Sequence, residues 1–421
     1  MNKDVNKKIC IVGGGPSGIS AAWFLEKKGY KNVHVLEKNE RVGGKCNSPM
    51  YKGKTYEMGA ALGVKNYRII NSIIMELNIE SKGPITERIF CNNKTGKEYE
   101  FLTKEENEEF KNQYIKLVNI LKEKYPLYKR PGHANCYPEL METFKDFCEN
   151  NGLNILVKVW KNPMTSYGYD YLEITPAAYV LKYLSPDIMK DFLSFDITLW
   201  NQGTEGLWRE IGEALVNKPR LGINIKNIVR KNNKVYVYTN WGKEEFDKII
   251  FTSPLQELPG YLDVREEEEE LFKKIKVMDY KTYACLVKEP HPHKSVYVPE
   301  NMKQERAGHV MFCYDRWIED SSAPIIFYIL ANPQDKITEE DCIRNLISDA
   351  KLFGFEITDI IHSKTWRYFP HVSCEIMKTG WYNKLEGMQG KDNSYYAGEI
   401  MNFSDMEECA AYSQDVVERF F

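Results

Sequence analysis

The stretch KICIVGGGPSGISAAWFLEKKGYKNVHVLEKNERVGGK, Lys8 to Lys45, restricts this chain more than any other. A short apolar run, Ile9 to Val12, has the length of a buried strand and leads directly into Gly13, Gly15 and Gly18 at G-x-G-x-x-G spacing. Gly13 permits the tight turn, Gly15 lets backbone approach a pyrophosphate, and Gly18 lets the next helix pack closely on its strand. Ser17 lies between the last two glycines, at the start of that helix, where free N–H groups meet phosphate charge. The helix continues through Ala21, Ala22, Phe24 and Leu25 and ends at Gly29. A second strand, Val33 to Leu36, then delivers Glu37, which can accept the hydroxyl hydrogens of a ribose. Strand, glycine turn, helix, strand and acid together predict a dinucleotide cradle, with NAD and FAD both open.

A chain of 421 residues is too long for one simple core and predicts two or three domains. Its 27 Tyr and 19 Phe would line an aromatic cavity or equally fill an ordinary core. A net charge of −3 offers neither a nucleic-acid footprint nor a polybasic membrane patch. The opening residues MNKDVNKK lack an apolar signal region, and no apolar run is long enough to span a bilayer. The expectation is a cytoplasmic protein without a nucleic-acid partner or stable membrane insertion, its oligomeric state open. Ten cysteines lie singly, with no C-x-x-C pair and no Cys/His cluster at zinc spacing, so reduced thiols and no metal are expected.

Past Glu37, the turn Arg41-Val42-Gly43-Gly44-Lys45 precedes a strand pair around Lys52-Gly53-Lys54. From Ile69 to Val216 the periodicity is helical, with helices expected over 105–124, 137–149, 153–161, 176–184, 187–195 and 205–216. The chain then returns to strands: one through Ile223, Ile225 and Ile228, a turn at Asn232-Asn233, and further strands at 235–238 and 248–252. Residues 265–380 mix strands at 283–287, 309–314, 324–330 and 364–369 with a helix near 339–353, which predicts an antiparallel floor for a cavity. The acidic run Glu266 to Glu270 is placed to open a helix. The C-terminus reads as a strand, a Gly398-Glu399 turn and a helix beginning near Asp405 or Met406.

The R-x-G-G turn after the ribose-binding acid resembles the flavoproteins of the amine oxidase group, with Lys45 where that group usually carries Arg. The resemblance implies an α/β fold: a Rossmann-like, two-dinucleotide-binding FAD domain, an inserted helical cap, and a mixed, mainly antiparallel substrate sheet. It divides the chain into residues 1–68, 205–265 and 385–421 for FAD, 69–204 for the cap and 266–384 for the substrate sheet. It implies non-covalent FAD held by Gly13, Gly15, Ser17, Gly18, Glu37, Gly44 and Lys45 around the diphosphate and ribose. Met58, Gly59 and Ala60 lie beside the flavin, Ile225 beneath the adenine, and Gly398, Glu399 and Met406 at the ribityl and O2 side. At that helix start the dipole favours negative charge on the reduced ring.

A narrower resemblance, to bacterial polyunsaturated fatty acid isomerases, runs through GGKCNSPMYKGKTYEMGA, PAAYVLKYL, ACLVKE, ERAGHVM, TWRYFPHVS and GWYNKLEGMQGKDNSYYAGEIMNF. It implies conversion of free linoleate into a conjugated diene, the 10-trans,12-cis isomer. Hydride leaves the bis-allylic carbon for flavin N5 and returns to an end of the pentadienyl system, so no catalytic acid, base or nucleophile is required. It also implies that Arg88 binds the substrate carboxylate, with Phe192 packed against it at the channel mouth. Amine oxidases of the same fold carry a lysine near the flavin where this chain aligns Thr282, with Lys281 expected on the other face of the strand. An amine oxidase, a carotenoid-type desaturase and a non-catalytic FAD and fatty-acid binder are the competing readings. Tyr167, Tyr169, Trp381 and Tyr382 are candidate cavity aromatics, and Cys374 is read as a plain thiol.

Overall fold

A computed structural model describes residues 4–421; residues 1–3 of the segment expected to serve the cofactor lie outside it. The first strand, Ile9–Val12, lies parallel to Val33–Leu36 on one side and to Lys248–Phe251 on the other, with Ser394–Tyr396 beyond. Every residue of Ile9–Val12 is buried, as expected of a parallel strand covered on both faces. The helix Pro16–Lys27 and the C-terminal helix Met406–Phe420 lie side by side, joined where Ser413 Oγ donates to the Ser17 carbonyl at 2.9 Å. Residues some 240 and 380 positions apart in the chain thus form one parallel sheet.

The arm that follows is an antiparallel sheet of Ile225–Lys231, Lys234–Thr239 and Gly242–Phe246. Asn232 and Asn233 turn the first pair with φ of 54° and 61°, the left-handed conformations a two-residue hairpin requires. The third strand is not foreseen, because Lys243, Glu244 and Glu245 carry no apolar alternation. Ile223 lies outside the first strand, which starts at Ile225.

The helical region is present with altered bounds. Its longest helix, Lys104–Lys124, starts at a reciprocal cap: Thr103 accepts from the Glu106 amide, and the Glu106 carboxylate accepts from the Thr103 amide. The single helix expected over 137–149 is instead a short 3-10 turn, Pro138–Met141, and a helix, Phe144–Asn150. Thr143 breaks it by accepting from the Asp146 amide at 3.0 Å, acting as an N-cap inside the apolar pattern.

Six strands make the substrate sheet, in the order Glu356–His371, Lys276–Lys288, Ile325–Ala331, Val310–Tyr314, Ser295–Tyr297 and Arg88–Phe90. All neighbours are antiparallel except the last pair. The strand carrying Arg88 is therefore an edge of this sheet, although it lies in the span expected for the helical cap. Both faces of the sheet are covered. Tyr280 and Ala284 join the large core shared with the parallel sheet and cap helices, whereas Tyr283 and Cys285 join a second core under the helix Glu339–Leu352. No helix among the described residues is long and apolar enough to cross a membrane.

Candidate functional site

The two glycine turns pack against each other. The Gly43 amide donates to the Gly14 carbonyl at 2.8 Å, and a β-carbon on Gly44 would stand 3.2 Å from the Gly15 Cα. Gly44 has φ of +56°, a conformation that favours glycine. Arg41 fixes the second turn, donating to the carbonyls of Gly44 at 2.9 Å and Cys46 at 2.8 Å. Gly13 caps the first strand, its amide donating to Leu36, and Gly18 sits directly against the Gly13 carbonyl.

Glu37 is buried and accepts from the amides of Gly14 at 2.7 Å and Asn39 at 2.9 Å. These bonds orient the carboxylate and leave lone pairs for a ribose. The Ile223 amide donates to the Glu37 carbonyl at 2.9 Å, so residues 220–223 flank the acid and Ile225 opens the strand two residues beyond. Lys45 forms an ion pair with Glu399 at 2.7 Å, and its ammonium lies 5.0 Å from the Tyr368 ring centroid. Gly398 packs on the carbonyls of Thr252 and Ser253. Residues from the beginning and the end of the chain are thereby joined at one site.

The segment Met58-Gly59-Ala60 is held rigidly. The Met58 carbonyl accepts from Thr282 Oγ1 at 3.1 Å and from the Trp366 indole, and the Ala60 amide donates to Lys45. A β-carbon on Gly59 would fall 1.8 Å from the Lys45 carbonyl oxygen. Above this segment opens a cleft. Gly59, Ala60, Leu62, Asp405 and Met406 line it. Tyr280, Phe312, Tyr328 and Tyr368 of the substrate sheet and Tyr167, Tyr169 and Tyr183 of the cap also line it.

Asp405 is the one carboxyl in the lining. Burial, reinforced by the charge of Glu408, pushes the Asp405 carboxyl well above its ordinary range. Burial likewise pushes Tyr167, Tyr169, Tyr183 and Tyr280 well above the usual phenol range. Asp405 also caps the C-terminal helix, accepting from the Glu408 amide at 2.9 Å. Met406, the first residue of that helix, receives the Trp208 indole N–H on its sulfur at 3.2 Å.

Arg88 and Phe192 meet, but not ring to guanidinium. Arg88 donates to the carbonyls of Phe192 at 2.8 Å and Leu193 at 3.0 Å, at the end of the helix Pro186–Ser194. The aromatic ring stacked on its guanidinium is Phe195, 4.7 Å to the centroid. The Phe192 side chain turns inward instead, 6.0 Å from Tyr167 and 6.1 Å from Tyr183. On the long strand, Thr282 faces the Met58 carbonyl while Lys281 faces outward and pairs with Glu339 at 2.7 Å. Of the four candidate aromatics, Tyr167 and Tyr169 line the cleft. Trp381 and Tyr382 are committed elsewhere, donating to the carbonyls of Leu271 and Ile400.

Asp405 and the sheet aromatics are the site residues that sequence reasoning missed. The aspartate carried a signal, an N-cap residue before a helix, without a sign that it is buried. The tyrosines carried none, because a strand buried on both faces shows no inward and outward alternation of polarity.

Residues 16–407 match the family described as flavin containing amine oxidoreductase. The chain belongs to that family. The helix Pro16–Lys27 has no side-chain cap at its start, leaving amides for a phosphate, and Ser404 Oγ beside the cleft is buried without a hydrogen-bond partner. These features and the Glu37 carboxylate suit FAD, which is the cofactor. Among solved structures, the crystal structure of a CLA-producing fatty acid isomerase from P. acnes is 39% identical, covers 100% of both chains and superposes with a TM-score of 0.96. Putrescine oxidase bound to putrescine is 14% identical with a TM-score of 0.68 over 98% of each chain, a likeness of fold. Among curated proteins, the uncharacterized protein R656 of Acanthamoeba polyphaga mimivirus is 22% identical over 95% of this chain and 90% of its own length. The polyenoic fatty acid isomerase of Ptilota filicina is 40% identical across 58 residues, 14% of this chain and 12% of that protein.

Proposed function

We propose that this chain is an FAD-dependent isomerase of free polyunsaturated fatty acids that converts linoleate into a conjugated diene, the 10-trans,12-cis isomer. The observation that carries this reading is the cleft itself: its lining is mainly aromatic and apolar, holds no histidine, cysteine, lysine or arginine, and has Asp405 as its one carboxyl, which burial pushes upward. Bound flavin supplies a hydride acceptor and donor, which is the hard part of the chemistry. The protein supplies position, dryness and electrostatics. The faces of Tyr280, Phe312, Tyr328 and Tyr368 are placed to stabilise positive charge on a substrate carbon chain. Gly59 and Ala60 offer minimal side chains to a planar ring, in a segment fixed by Thr282 and Trp366 at the Met58 carbonyl. Burial pushes the Asp405 carboxyl upward and so disfavours negative charge there.

Arg88 binds the carboxylate at the mouth. Two of its five N–H donors hold the carbonyls of Phe192 and Leu193, leaving others for the substrate. Full-length similarity to the fatty acid isomerase from P. acnes supports the reading, as does the shorter match to the isomerase of Ptilota filicina. An amine oxidase is disfavoured because the inward position on the long strand is Thr282 and the adjacent lysine is engaged on the outer face.

The test is incubation of the yellow protein with linoleate under nitrogen. Conjugated-diene absorbance is expected without hydrogen peroxide and without consumption of an electron acceptor. An acceptor requirement would assign the chain to the oxidases or desaturases, and an unchanged spectrum would make it a binder.

A further inference from the structure

The loop between Lys276–Lys288 and Ser295–Tyr297 reads Glu289-Pro290-His291-Pro292-His293-Lys294. None of its residues lines the cleft. The Glu289 carboxylate lies with Oε1 3.6 Å from His291 Nε2 and Oε2 3.2 Å from His293 Nε2. The two imidazole centroids are 3.9 Å apart, and the three side chains offer donor atoms all within 4.8 Å of one another. Tetrahedral zinc with bonds of about 2.0–2.1 Å to nitrogen and oxygen separates its ligand atoms by roughly 3.4 Å. The observed spacings bracket that value.

Asp315, which follows the strand Val310–Tyr314, is a second, independent observation. It is 4% exposed, its Oδ2 has no hydrogen-bond partner, and that oxygen lies 4.0 Å from His291 Nδ1. A buried carboxylate oxygen without a donor is costly unless something completes it. A histidine that ligates a metal through one ring nitrogen characteristically donates from the other to a carboxylate. Without metal, His291 Nδ1 accepts from the His293 amide at 3.2 Å, which puts the ring proton on Nε2.

We propose that Glu289, His291 and His293 form a binding site for zinc or a similar divalent transition metal, with Asp315 orienting His291 from behind. Two imidazoles and one carboxylate are the ligand set of a borderline cation rather than of calcium or magnesium. Binding at Nε2 shifts the ring proton to Nδ1, which then donates to Asp315, and solvent completes the coordination. The loop runs directly into Ser295, whose hydroxyl lies 3.2 Å from Thr86 Oγ1, and Thr86 donates in turn to the Asp315 carbonyl at 3.1 Å. Ser295 pairs in register with Arg88, so the metal would tie this loop to the sheet edge that presents Arg88.

The test uses untagged flavin-loaded protein in equilibrium dialysis against zinc with metal analysis, repeated with cobalt. One equivalent of zinc is expected, together with a visible cobalt band at longer wavelength than the flavin absorption. His293→Ala and Glu289→Gln alter partly exposed side chains and are expected to lose stoichiometric binding while keeping flavin content and the metal-free melting temperature. Asp315→Asn is expected to weaken binding about tenfold or more. Absence of bound zinc in the wild-type protein, or equal affinity in wild type and His293→Ala, would overturn the site.

Discussion

A β-carbon on Gly18 would lie 1.9 Å from the Gly13 carbonyl oxygen, backbone against backbone, with Thr252 Oγ1 also at 3.0 Å. No side-chain rotation relieves that contact, so Gly18→Ala is expected to destabilise the protein by about 3 kcal/mol, read as a lower urea midpoint in the flavin-free form. Gly15 differs. Its β-carbon would find nothing nearer than the Gly44 Cα at 3.8 Å, so Gly15→Ala should leave the stability of the flavin-free protein unchanged and lower flavin retention, measured as flavin absorbance per chain after gel filtration. The pair separates a glycine needed by the fold from one needed by the cofactor. Arg88→Ala removes a charge-assisted partner for the substrate carboxylate and is expected to raise KM for linoleate about tenfold, with FAD retained. Unchanged kinetics would remove the anchoring role.

The acidic run expected to open a helix does so in Glu266–Phe272, and one of its residues joins three elements. Glu268 is fully buried and accepts from both terminal nitrogens of Arg230 at 2.7 and 2.8 Å, from the Arg265 side chain at 2.9 Å and from the Tyr396 hydroxyl at 2.5 Å. Burial alone pushes its carboxyl up; the bonds from Arg230, Arg265 and Tyr396 outweigh that and hold it at about 2. The folded value lies below the unfolded one. The stabilisation is therefore complete above the ordinary glutamate range of about 4.3 and disappears as pH falls toward the folded value. Urea midpoints should fall through that acidic window. Glu268→Gln should cost about 3–5 kcal/mol at neutral pH by leaving buried guanidinium charge uncompensated, and should flatten the acid limb. An unaltered acid limb in the variant would show that other carboxylates govern it. Elements with strong local signals matched expectation closely, as in the helices Lys104–Lys124 and Glu339–Leu352. Lys276–Lys288 and Glu356–His371 ran far longer than expected, because their pairing with each other, not local composition, extends them.

One apolar core links the parallel sheet, the cap helices and the inner face of the substrate sheet, as Ile9, Trp160 and Tyr280 all belong to it. The cleft is therefore a gap left between bodies that are otherwise continuously packed, and its shape depends on all three. All ten cysteines are free thiols, and none lines the cleft. Cys374, read from the sequence as a plain thiol, lies with its sulfur 3.9 Å from the Ile174 carbonyl. Acid precipitation is accordingly expected to leave FAD in a yellow supernatant. A yellow pellet would show a covalent bond.

The sequence by itself determined the dinucleotide cradle, since strand, glycine spacing, helix and Glu37 are contiguous and each follows from local backbone geometry. With Gly43-Gly44 and Gly398-Glu399 it also determined the flavin-containing family. Glu289-Pro290-His291-Pro292-His293 does not have Cys/His zinc spacing, and the carboxylate behind His291, Asp315, comes from a distant part of the chain, just after the strand Val310–Tyr314. Only the tertiary structure decided that Phe195, not Phe192, stacks on Arg88, that Asp405 is buried, and which tyrosines line the cleft. The reason is physical: a glycine turn is specified by a few neighbouring dihedral angles. A cavity wall is specified by which faces of distant strands and helices come together, and aromatic residues buried on both faces carry no local mark of which way they point.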